Sequence, residues 1–236
     1  MMEFIDICDC LIKNVVGFVF SWLLLKKSRN IIPTAVVIVA GTIANFLFYK
    51  VSASVGYLLA ALIYFFGNIF LSEDKLSKKV SVSMTATYII CISDFIFGSF
   101  IASISMKGFK QLREEWLIIH ALSIAAFVPV YLLLRKVPQN TPNKFYSFFA
   151  GTMSGFCIVA IVVTGGFRGS AMNTSKENMI AAALVALLFY AASIIVIGFF
   201  HSFALGQIMN ISYFYLKQII KILVNRSKFA KKTSVL

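Results

Sequence analysis

The side chains able to do chemistry inside this chain are few and widely spaced. Asp94, in ICISDFIFGSF, is the only acidic residue deep in an apolar run, and inserting a carboxylate at the centre of a membrane helix costs of order 3 kcal/mol. An ionisable group at that depth needs a partner or a water-lined site. Asp94 therefore reads either as a ligand- or proton-responsive switch or as a buried carboxyl bonded to a neighbouring helix. His120, His201, Asn45 and Asn68 complete the candidate intramembrane polar set. Lone residues of these types in apolar segments more often bond helix to helix than hold a ligand. Cys91 with either histidine would make a nucleophile–base pair, but no local motif supports it. Glu114, Glu115 and His120 form EEWLIIH, which lacks the arginine of glutamate-rich membrane metalloproteases. H-E-x-x-H, a Walker A loop and a dinucleotide-binding glycine pattern are absent from the sequence, so no enzyme activity, metal or cofactor is expected. Cys8 and Cys10 form C-x-C, too little for a zinc or redox site alone.

The surroundings of these residues are apolar to a degree that no soluble fold sustains. Of 236 residues, 60% are hydrophobic and 13% charged, with mean hydropathy +0.89. An ordinary globular domain is roughly 45–50% apolar and about 25% charged. Continuous runs of about 20 apolar residues are helices in hydrocarbon, where every backbone amide must be paired. Seven such runs lie at about 9–25, 31–49, 54–71, 80–105, 117–134, 145–164 and 179–205. The first is the weakest, because Lys13 and Asn14 interrupt it. The fold class is an all-α polytopic membrane helix bundle over 1–205, of about seven spans with six as the alternative. A basic amphipathic helix and tail follow over 206–236, suited to the membrane surface or to a short coiled-coil seam.

Basic residues set the orientation. Of 22 Lys and Arg, fifteen fall at Lys26–Arg29, Lys75–Lys79, Arg135–Lys144 and Lys217–Lys232. The positive-inside rule puts these in the cytoplasm, with the N-terminus (Glu3, Asp6 and Asp9) outside and the C-terminus inside. The net charge of +13 then serves anionic lipid rather than nucleic acid. The expected location is a cell membrane, of bacterial cytoplasmic type. Outside it, 106–116 reads as an amphipathic interfacial loop, and 165–178 as a polar, glycine-rich mobile one. Gly151-x-x-x-Gly155 reads as a close-packing or dimerisation face.

A short first span, the KKSRN turn, a hairpin containing ANFLFY, the SEDKLSKK turn and a long fourth span with a mid-membrane aspartate follow one another. This order resembles the transmembrane sensor half of peptide-pheromone receptor histidine kinases of Gram-positive bacteria (the accessory-gene-regulator and competence type), without the kinase domain. The resemblance covers roughly residues 9–224. It implies a receptor-like module that binds a small extracellular peptide and relays the signal to a cytoplasmic or membrane partner, or to a second copy. Phe109, Trp116 and Phe167 are the implied apolar contacts, with Glu114, Glu115 and Arg168 as charge partners. The competing readings are a small permease subunit of energy-coupling or ABC type, and a membrane immunity or assembly partner.

Overall fold

A computed structural model describes residues 2–26, 31–49, 53–105, 115–137, 141–170 and 176–233. Seven helices account for nearly all of them: α1 (Met2–Leu24), α2 (Ile31–Tyr49), α3 (Ala53–Leu71), α4 (Leu76–Ser105), α5 (Trp116–Arg135), α6 (Asn143–Ser170) and α7 (Lys176–Thr233). Among the described residues five helices are long and apolar enough to cross a membrane, and α2 and α3 carry shorter apolar stretches of 17 residues. Large apolar side chains stand exposed around the outside, among them Phe70, Phe148, Leu188 and Phe199. Such a surface is expected of a multi-pass membrane protein, whose solvent on that side is lipid.

The helix at the centre, α4, is the richest of the seven in serine and threonine. Helix α4 packs against α1, α3, α5, α6 and α7, while α2 lies outside against α1 and α3. Its many hydroxyls satisfy themselves along the helix: Ser83 Oγ donates to Lys79 O, Thr85 Oγ1 to Ser81 O, Thr87 Oγ1 to Ser83 O and Ser93 Oγ to Ile89 O, at 2.6–3.1 Å. Back-bonded hydroxyls expose little polarity. They also keep α4 slim enough for five neighbours to surround it. Aromatic side chains fill the remaining gaps: Tyr88 meets Phe156 and Phe189, and Phe149 stacks on Phe200 at 4.2 Å.

Several boundaries differ from the sequence expectation: α1 already starts at Met2 rather than near 9, and α4 at Leu76 rather than near 80. Helix α6 continues through Ser170, so 165–170 is helical rather than loop. The helix expected over 206–236 is not a separate element: it is continuous with the last span in α7, which runs to Thr233, giving 58 residues and about 87 Å at 1.5 Å per residue. Extending an existing helix adds one hydrogen bond per residue fixed, whereas only starting one is costly. No proline lies in 176–233, and Gly198 and Gly206 cost only about 1 kcal/mol each.

Close approach in the bundle also falls on different glycines. A Cβ on Gly151 or Gly155 would meet nothing within 4 Å, so this pair packs no neighbouring helix among the described residues. At Gly17 a Cβ would lie 2.4 Å from the Tyr64 ring and 2.6 Å from its hydroxyl. Tyr64 is fully buried and donates to Lys13 O at 2.9 Å. Gly17→Ala is expected to destabilise the detergent-solubilised protein by about 1–3 kcal/mol through overpacking. Gly151→Ala should be neutral or stabilise by up to about 1 kcal/mol, since its Cβ meets nothing and alanine is the better helix former. Equal melting temperatures for the two variants would contradict this packing.

Candidate functional site

Four ionisable side chains from three helices meet inside the bundle. Helix α1 brings Asp9 and Lys13 one turn apart, and their side chains pair at 2.8 Å. Lys13 Nζ also lies 2.7 Å from Asp94 Oδ2 of α4. On α5, His120 Nε2 lies 2.5 Å from Asp9 Oδ1. Neutral donors close the set: Tyr57 of α3 donates its hydroxyl to Asp94 Oδ2 at 2.9 Å, and Ser123 of α5 donates to Asp94 Oδ1 at 3.3 Å. All four carboxylate oxygens are thus engaged. Asp94 is 2% exposed and Lys13 9%, so this pair is withdrawn from water.

Helical spacing explains the convergence. Asp9 and Lys13 share a face at i,i+4, His120 and Ser123 at i,i+3, and Tyr57 and Tyr64 at i,i+7. Tyr57 faces Asp94 while Tyr64, two turns on, holds the α1 backbone at Lys13. The ammonium also stands over the Tyr57 ring, 5.8 Å from its centroid. In formal charge, two carboxylates face one lysine and one histidine. The imidazole proton decides whether these four side chains sum to zero or to minus one.

The sequence reading of Asp94 as the lone deep acid is therefore corrected. Asp9, expected in the outward N-terminal tail, is a half-buried member of this set, and Lys13 is its hub rather than an interruption of the first span. Asp9, Lys13, Tyr57 and Ser123 were all missed. The available signal was an opposite-charge pair at i,i+4 inside an apolar run, with a third charge elsewhere in need of a partner.

The other polar candidates divide. Asn45 is buried on the wall of a cavity of about 10 Å³ that Asp9, Lys13, Tyr57 and Tyr64 also line, the scale of a single water molecule. Asn68 stands apart from the charged set: its Nδ2 donates to Ser21 Oγ at 3.2 Å and to Ser83 Oγ at 2.8 Å, tying α3 to α1 and α4. His201 lies on α7, half-buried, and joins neither tier. The Cys91 thiol bonds Thr164 Oγ1 at 3.3 Å, so it is not poised as a nucleophile. No cluster of three or more potential metal ligands occurs among the described residues.

Of the ligand contacts implied by the resemblance, Phe109 and Glu114 lie outside the described residues. Trp116 opens α5, and Phe167 and Arg168 sit in the last turns of α6, with side chains outside the described set. Glu115 is half-buried, and its carbonyl accepts from Ile118 and Ile119 at the start of α5. The chain matches no family model, no curated protein and no solved structure.

Lys13 serves both carboxylates, so it should dominate the energetics. Lys13→Met is expected to destabilise by about 3–5 kcal/mol, because it leaves buried acids short of a cation. Asp94→Asn should cost less, since the amide oxygen still accepts from Tyr57 and Lys13 keeps Asp9. A Lys13→Met/Asp94→Leu double-mutant cycle, followed by unfolding in mixed micelles, should show coupling of about 0.5–3 kcal/mol. Strict additivity would argue against the contact.

Proposed function

We propose that this chain is a seven-span sensor module of a cell membrane, with its N-terminus outside and its C-terminus in the cytoplasm. It binds a small extracellular signal, of which a peptide is the class the resemblance implies, and relays that event to a cytoplasmic or membrane partner. The observation that carries the reading is the continuous path from the charged network to α7. Helices α4 and α5 supply Asp94, His120 and Ser123. The same two helices grip α7, where Tyr88 of α4 donates to Phe189 O at 3.3 Å and Tyr190 of α7 donates to Ala126 O of α5 at 2.5 Å. Below that grip Ile197 and Ala204 of α7 are fully buried, and the helix then leaves the bundle without a break.

A ligand acts on such a device only through its different affinity for two packings of the helices. A rearranged network would re-seat α4 and α5 against each other, and α7 would carry the displacement outward as a rigid rod. The orientation is supported by the basic connections, which meet at one end. The Lys26 N–H reaches Asp74, the Glu73 N–H reaches Lys26 O, and Ser77 bonds Asn143.

The second reading, a small permease subunit, rests on the same charged set, because carriers place proton-relaying carboxylates and histidines in hydrocarbon. The water-sized cavity beside the set favours a relay over a substrate site.

Spin labels at Phe148→Cys and Met209→Cys, both exposed positions, test the relay. Asp94→Asn should shift the distance distribution between α6 and the projecting part of α7. An unchanged distribution in a folded variant would leave Asp94 a structural tie only. Saturable binding of a secreted peptide to the protein in nanodiscs is the expected ligand result, whereas substrate uptake by proteoliposomes would favour the permease.

A further inference from the structure

Outside the charged network, a cavity of about 260 Å³ lies at the basic end of the bundle, framed by the ends of α1 and α5 and the starts of α4 and α6. Its lining carries three cations from three parts of the chain: Lys26 just past α1, Lys78 in the first turn of α4 and Arg135 at the end of α5. Asp74 answers one of them, pairing with Lys78 at 2.9 Å. Arg135 is exposed, its guanidinium 6.0 Å from the Tyr131 ring, and Lys26 is exposed as well.

Apart from Ser81, whose hydroxyl donates to Lys78 O, the rest of the lining is mostly apolar. Val82, Leu134 and Phe149 are buried on it, and Tyr146 adds a phenol. Leu23, also on the wall, is 59% exposed on the bundle exterior, so the apolar lining continues onto the lipid-facing side. Cationic rim and apolar wall together match a molecule that is anionic at one end and hydrocarbon at the other. Basic pockets between membrane helices hold anionic headgroups for this reason. A free inorganic anion would use the cations but gain nothing from Val82, Leu134 and Phe149.

We propose that this cavity is a binding site for the phosphate headgroup of an anionic phospholipid, held by Lys26, Lys78 and Arg135, with the glycerol and upper acyl chain along the apolar wall toward Leu23. The bound lipid would bridge α1, α4, α5 and α6 at the end from which α7 projects.

Delipidated protein in neutral detergent, titrated with phosphatidylglycerol, phosphatidylcholine or inorganic phosphate and read by native mass spectrometry and thermal unfolding, tests this. Phosphatidylglycerol should be retained and stabilising, and phosphatidylcholine much less so. The Lys26→Gln/Arg135→Gln variant should bind phosphatidylglycerol about 30-fold more weakly, each cation at an anionic surface being worth roughly fivefold. Lys217→Gln/Lys221→Gln removes equal charge from exposed positions of α7 and should change retention little. Equal retention of the two lipids, or equal losses from the two double variants, would overturn the site. Stabilisation by inorganic phosphate matching that by phosphatidylglycerol would overturn the lipid assignment in favour of a free anion. If the Lys26/Arg135 variant fails to fold, the lipid and phosphate comparison on the parent protein decides alone.

Discussion

The ammonium of Lys13 holding the carboxylates of Asp9 and Asp94 is the constraint around which the bundle is arranged. Each of these groups placed singly at the middle of a membrane helix would cost about 2.5–3.5 kcal/mol. Together, with Tyr57, Ser123 and His120 filling the remaining oxygen positions, they become a set that hydrocarbon tolerates. Tolerance depends on register. Sliding α1 by one residue against α4 would rotate Lys13 by about 100° and expose it to lipid. The network therefore selects one packing among the many that apolar helices could adopt, and specificity of this kind is the best-attested use of buried polar groups. A second tier, Asn68 with Ser21 and Ser83, ties α1, α3 and α4 together about 12 Å further along α1.

The central place of α4 follows from that requirement. A helix carrying an aspartate and a run of serines and threonines is the poorest candidate for a lipid-facing position. Surrounded by five helices, it can spend its hydroxyls on its own carbonyls and its carboxylate on Lys13, Tyr57 and Ser123. The helices around it keep Phe, Leu, Ile and Val on their outer faces. Under the proposed function, signalling through Asp94 and stability of the bundle are two aspects of one contact. Any change that loosens the ion pair also frees α4 relative to its neighbours, including α7.

The helices were legible in the sequence because hydrocarbon leaves so few choices. Runs such as 31–49 and 54–71 match α2 and α3 to within a residue. The site was legible only in part. Asp94 announces itself by cost, and His120 by type, but nothing in a linear reading shows that Asp9 and Lys13 turn toward them. Charges near the start of a weak first span look like a tail and an interruption until a neighbouring helix supplies the reason. Packing glycines within the bundle were hidden in the same way. Gly151-x-x-x-Gly155 has the spacing of a packing face but meets open space, while Gly17 stands in no such motif and receives the Tyr64 ring. Spacing specifies a face; which face is covered depends on all the other helices.

The projecting part of α7 poses a different problem, since its chemistry is wrong for open water. Asn210, Lys217 and Lys221 fall on one face, separated by seven and four residues, and Gln218 lies beside them. Met209, Tyr213, Phe214, Tyr215, Leu216, Ile219, Ile220 and Ile222 are all exposed in the isolated chain. At about 100° per residue, the four consecutive residues from Tyr213 to Leu216 alone sweep most of the circumference. A two-stranded coiled-coil seam, with its narrow a/d stripe, would cover only part of that arc. A helix lying on a membrane would bury one face and leave much of the rest wet. The width of the apolar arc instead calls for enclosure on several sides, by lipid, by partner helices or by both, with the narrow basic face left to water and headgroups. In the proposed relay, a rod clad in this way would transmit displacement to whatever encloses it.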